Sequence, residues 1–135
     1  MEAFIERHIA DRTSFTFETA LRSVVTLEQA RSARNAGFFL SMIYVALESV
    51  DLHLERVAVR ASRGGHSAPP ARIREIHSAS MSNLSRALLE FDLVRVYDNS
   101  GPRPLRALIC RSGVVSFLLP EAPEWIRHAV ESMHR

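Results

Sequence analysis

The chain has 135 residues, 47% of them hydrophobic and 24% charged, with a formal net charge of +2 and a pI near 9.3. That composition fits one domain with a modest core; it excludes a disordered chain and gives no charge-based ground for a nucleic-acid partner. All 17 basic residues are arginine, which excludes Schiff-base chemistry and a P-loop lysine.

Residues 1–12 have helical spacing, with Phe4, Ile5 and Ile9 on one face alongside His8. The segment carries acids and lacks the apolar stretch of a signal peptide. No run reaches the ~20 apolar residues of a membrane span. The expectation is a soluble, cytoplasmic protein with no membrane partner. SFTFE (14–18) alternates aromatic and polar residues and predicts a strand with Phe15 and Phe17 on one side. Residues 21–36 read as a helix closed by Gly37. FFLSMIYVAL (38–47) is almost continuously apolar, the pattern of a strand buried on both faces. Strand, helix and apolar strand together predict a βαβ unit.

Residues 50–63 form the next predicted helix, with Val50, Leu54, Val57, Ala58 and Ala61 facing inward. Arg56, Arg60 and Arg63 share the other face. Pro69 and Pro70 open a long helix to about Phe91 that turns Ile73, Ile76, Leu84, Leu88 and Phe91 inward. LVRVYD (93–98) is a strand ended by the turn NSGP. LRALICR (105–111) and VVSFLL (114–119) flank Ser112-Gly113, a hairpin signal. A last helix from about Ala122 places Trp125, Ile126 and Val130 inward. The alternation predicts an α/β fold, a three-layer sandwich with a mostly parallel sheet, plus a C-terminal β-hairpin and helix, all in one domain over 1–135.

Among residues that carry chemistry, the arginine stripe stands out. Guanidinium forks match phosphate oxygens, and a Gly-Gly-His segment follows at once, the layout of a cationic lid with a mobile hinge. A solvated face neutralised by Glu48, Asp51 and Glu55 is the alternative. Glu18 closes the first predicted strand beside Thr19; a carboxylate there suits Mg²⁺ or a substrate hydroxyl, or else complements the dipole of the helix that follows. The six histidines show no metal-ligand spacing; His8 and His77 read as helix-face residues, His128 and His134 as solvated. Asp98, Asn99 and Ser100 are first a turn signal. Cys110, the single cysteine, reads as an inert core thiol.

FETAL (17–21), NAGF (35–38), ERVAVR (55–60), GGHSAP (64–69), Asn83-Leu84 on the long helix and VYDNSG (96–101) together resemble the zeta-toxin family of P-loop kinase-like proteins, from end to end of the chain. Members use ATP and Mg²⁺ to phosphorylate a hydroxyl of a small molecule, a UDP-linked amino sugar in true zeta toxins. The resemblance implies a strand-end acid motif at Glu18 and Thr19, with Glu18 catalytic, and lid-helix arginines at Arg56 and Arg60. It further implies a lid hinge at Gly64, Gly65 and His66, a helix arginine at Arg74 and a helix asparagine at Asn83. Tyr97, Asp98, Asn99 and Ser100 match the motif near the nucleotide.

The departures are large. The family's P-loop (GxxxxGK followed by Ser or Thr) and its aspartate base have no counterpart here. Ile76, Ala79 and Ser82 stand where arginines are usual, and Ala20 replaces a threonine. The expectation is a degenerate kinase-like protein with little activity alone that binds a phosphorylated ligand, such as a UDP-sugar, through Arg56, Arg60, His66 and Arg74. Two other readings stand: a kinase part completed by an upstream or separate chain, and an interaction protein using an exposed sheet edge. Without the P-loop strand, strand 14–18 must pair with the strand at 38–46 or another chain must fill the gap, so a homodimer or a partner protein is expected.

Overall fold

A computed structural model describes residues Met1–Arg135. The helices are α1 (Glu2–Ala10), α2 (Val25–Asn35), α3 (Val50–Ser62), α4 (Pro70–Glu90) and α5 (Glu124–Ser132). The strands are β1 (Ser41–Ala46), β2 (Leu93–Asp98), β3 (Leu105–Arg111) and β4 (Val114–Leu118), hydrogen-bonded in the order β1-β2-β3-β4. This is an α/β protein with a mixed sheet. β1 and β2 are parallel, with Tyr44 opposite Val96, and α3 and α4 form their crossover. The other pairs are antiparallel. The Ser112-Gly113 hairpin forms as its sequence predicts, with Ser112 (φ 47°) and Gly113 (φ 77°) both left-handed. No helix is long and apolar enough to cross a membrane.

The core lies on one face of the sheet. Tyr44, Val94, Val96, Leu108 and Cys110 point into it and meet Leu84, Ala87 and Leu88 of α4 and Ile126, Ala129 and Met133 of α5. Each fully buried aliphatic side chain contributes about 1.5–3 kcal/mol of apolar transfer. The 3.6-residue spacing on α4 and the alternation on β2 therefore converge on one layer boundary. Leu21 and Leu27 close the core from the N-terminal side. Arg31 of α2 donates to Glu90 at the end of α4 (2.7 Å), joining those two helices at their surface.

Five linked expectations fail. Residues 14–18 are extended but form no strand. The alternation is still used: Phe15 packs on Phe4, His8, Phe17 and Phe38 at centroid distances of 5.5–6.3 Å. An extended segment becomes a strand only when a neighbour takes its backbone groups, and here the chain lies against the aromatic face of α1 instead. The first βαβ unit is therefore absent, the only parallel pair is β1·β2, and the sheet is mixed rather than mostly parallel.

β1 is also not buried on both faces: Ile43 and Val45 are 61% and 52% exposed. It is an edge strand with helices packed on one side, so its second face stays in water. The molecule accordingly has two layers where a three-layer sandwich is predicted.

Candidate functional site

A cleft of about 780 Å³ opens at the carboxyl end of β1, between the extended segment at Thr19-Ala20, α3 and α4. Its floor is Tyr44 and Ala46, and its polar wall holds His53, Glu55, Arg56 and Arg60 from α3, His77 and Ser80 from α4, and Asn99 from the turn after β2. The carboxyl ends of parallel strands form a natural crevice, because the crossover leaves the sheet there.

Local sequence explains each position. Ser49 caps α3, its Oγ accepting from the Leu52 N–H at 3.2 Å. Three successive turns of α3 then project His53, Arg56 and Arg60 at i, i+3 and i+7 along one stripe. At the other end α3 closes with a Schellman motif. Gly64, at φ +89°, donates to Ala61 O, and Gly65 donates to Arg60 O at 2.8 Å. The Gly-Gly pair read as a mobile hinge is thus a helix stop. His66, beyond it, is exposed and does not line the cleft.

Arg56 is committed to the fold. Its guanidinium donates to the carbonyls of Asn99, Ser100 (3.2 Å) and Gly101 (3.3 Å), tying α3 to the turn after β2. Those acceptors are neutral, so its positive charge persists beside the cleft. Arg60 forms no ion pair and is free to meet a ligand. The rings of His53 and His77 lie 6.1 Å apart, and His77 Nε2 donates to Leu47 O at 3.0 Å. Partial burial, then the neighbouring His77, Arg60 and Arg56, hold His53 below the ordinary imidazole pKa. On the floor, Tyr44 Oη shares a 2.9 Å hydrogen bond with Ser80 Oγ, and burial raises the phenol pKa. Glu55 is the one carboxylate of the lining. The cleft is electropositive and suited to an anion.

Of the residues singled out from sequence, Thr19, Arg56, Arg60 and Asn99 meet here. Thr19 Oγ1 accepts from Leu21 N–H and lies 3.2 Å from Thr26 Oγ1, so it pins the segment where Leu21 adopts φ 52°. Asn83 is buried and donates to Leu21 O at 3.0 Å, outside the cleft. Glu18 is exposed and outside the lining, and α2 begins only at Val25, so Glu18 does not cap that helix. Arg74 pairs with Asp51 at 2.8 Å on the surface, leaving it bound to α3 rather than to the cleft. Tyr97 points to the opposite face of the sheet from Val96. Asp98 accepts from Ser100 Oγ at 2.7 Å and organises the turn that Arg56 grips.

His53, His77, Tyr44 and Ser80 line the cleft without belonging to any of the sequence motifs. His53 was legible, since it extends the Arg56/Arg60 stripe by one turn. His77 was not, because only the crossover brings α4 against α3. The described residues contain no cluster of His, Cys, Asp and Glu arranged to hold a metal ion. The chain matches no family model, no curated protein and no solved structure.

Proposed function

We propose that this protein is a degenerate zeta-toxin-like member of the small-molecule kinase class that binds a phosphorylated ligand, of which a UDP-sugar is an example, without transferring a phosphoryl group by itself. The observation that carries the reading is the cleft at the end of β1, where Arg60, the charge of Arg56 and two histidines surround space for a small molecule with one opposing carboxylate. The β1–α3–α4–β2 crossover supports a likeness to the substrate-side part of a P-loop kinase fold, with α3 in the place of the lid helix. Catalysis by this chain alone is not part of the proposal, because phosphoryl transfer depends on a phosphate cradle and its lysine, and the sequence holds no lysine.

Calorimetric titration tests this. A UDP-amino sugar is expected to bind with release or uptake of heat and to lose about tenfold in affinity in Arg60→Ala, as fits loss of one charge-assisted contact. Mg-ATP is expected to be silent. Heat from Mg-ATP would reveal a phosphate site without a P-loop and end the degenerate reading. Silence from both, with no change in melting temperature, would end the binding claim.

The same reading includes association with another chain. β1 ends the sheet on its outer side, and an unpaired strand edge is a template for a partner. Sedimentation at micromolar concentration would show whether a homodimer forms.

A further inference from the structure

The second face of the sheet, away from the helices, carries a surface that the cleft does not explain. Strand alternation and register place Ile43, Val45, Tyr97, Ile109 and Phe117 on it. Ile43, Val45 and Phe117 are 61%, 52% and 37% exposed. Contiguous exposed apolar side chains on a sheet face mark an interaction surface.

Charge on this face has one sign. The four strands contain only four charged residues, Arg95, Asp98, Arg106 and Arg111. Arg95 pairs across with Ile109, Arg106 with Tyr97, and Arg111 with Leu93 and Val114, so all three arginines share the open face. Asp98 alternates to the other side and accepts from Ser100. None of the three arginines forms an ion pair. The Arg106 guanidinium lies over the Phe117 ring, 5.8 Å from its centroid, which holds a cation against the apolar patch.

We infer that this face docks an acidic amphipathic helix of a different protein. An apolar sheet face is ordinarily covered by helices, and β1 to β4 offer such a face with cations among and around the apolar residues. A second copy of this chain fits badly, since stacking the two faces would bring together six guanidiniums with no carboxylate, a like-charge contact that specific interfaces avoid. A nucleic acid would meet the arginines, but Tyr97 is the one ring left for a base to stack on, since Ile43 and Val45 carry none and Arg106 already lies over Phe117. The face therefore lacks the run of stacking platforms that successive bases use. Aliphatic burial plus anionic contact is the chemistry of an acidic protein helix. Val45 also borders the cleft, but Ile43, Tyr97, Ile109 and Phe117 do not, and the inference does not rest on the cleft's ligand.

The probe is a synthetic amphipathic peptide of about 18 residues, long enough for five turns, with leucines on one face and flanking glutamates. Its control carries lysine in place of each glutamate. Binding to the full chain is followed by chemical shifts of the Ile43, Val45, Ile109 and Phe117 resonances. The acidic peptide is expected to shift them and to bind at least about tenfold more tightly than the basic one. In Arg95→Glu/Arg106→Glu, surface changes that leave the core untouched, the preference should reverse. Failure of the acidic peptide to move these resonances overturns the inference. So does an unchanged preference in the charge-reversed variant. Self-association dissolved by Phe117→Asp, a substitution on β4 away from the β1 edge, would assign the face to a second copy, and tighter binding of an oligothymidylate at the same resonances would assign it to single-stranded nucleic acid.

Discussion

Two arginines one turn apart on α3 have different roles, because their surroundings differ. Arg56 serves three backbone carbonyls, and Arg60 serves none and has no ion pair. Arg56→Met should therefore cost about 1–3 kcal/mol of stability, as expected when several hydrogen bonds to a charged donor are lost and their acceptors freed. Arg60→Ala should leave urea stability within about 0.5 kcal/mol, the usual range for an exposed site, and act only on ligand affinity. Parallel urea melts and titrations of the two variants separate the roles. His53 adds a pH dependence with a defined sign. Its folded pKa lies below the unfolded value of 6.5, so the unfolded chain binds the proton more readily. The stability tied to neutral His53 is present above pH 6.5 and is lost as pH falls through the folded pKa. A bound anion reverses the electrostatic cause of that shift, so ligand affinity should rise over the same interval and binding should take up protons. Titrations in buffers of different ionisation enthalpy check the uptake, and His53→Gln should remove both effects.

Helix boundaries account for most of what the sequence conveyed at the next scale. Gly37 and Gly64 both stand at the left-handed position after a helix, with φ +89° in each, and each is followed by a backbone bond reaching back to the last turn. The stop at Gly37 was readable from glycine after an apolar-periodic run. At residues 64–65 the same signal is present, but a pair of glycines carries no sign of whether its freedom is used for motion or for a cap. The geometry distinguishes these. A Cβ added at Gly65 would stand 2.8 Å from Arg60 O, a backbone atom that cannot move aside without opening the cap. Gly65→Ala should destabilise α3 by about 1–3 kcal/mol, seen as early amide exchange in 58–63, whereas a true hinge would tolerate the methyl group. The Phe15–Phe17 segment shows the converse limit. Its alternation reports an extended backbone with one apolar side, and nothing local says whether the opposite edge meets a strand or solvent.

Over the whole molecule, one helical layer on one sheet face decides both the core and the surface. Leu88 is fully buried between α4 and the sheet. Leu88→Ala should cost about 2–5 kcal/mol, measured by urea unfolding, and should loosen the cleft's wall through α4. Ile43 and Val45 look as apolar as Leu88 in sequence but lie on the uncovered side. Substitution there should leave stability nearly unchanged.

The sequence by itself determined the α/β class, the five helices, strands β1 to β4, the hairpin, the burial of Cys110 and Arg56 and Arg60 of the α3 stripe, whose third expected member, Arg63, falls at the helix C-cap. These follow from period, caps and turn chemistry, which act over a few neighbouring residues. Only the tertiary structure decided that 14–18 stays unpaired, that the sheet is mixed, and that one of its faces is left open. It also decided that Arg56 is tied to a turn 43 residues away and that His77 joins His53 at the cleft. Each of these depends on which distant backbone groups and side chains become neighbours, and apolar runs and charges specify such neighbours only once the layers have packed.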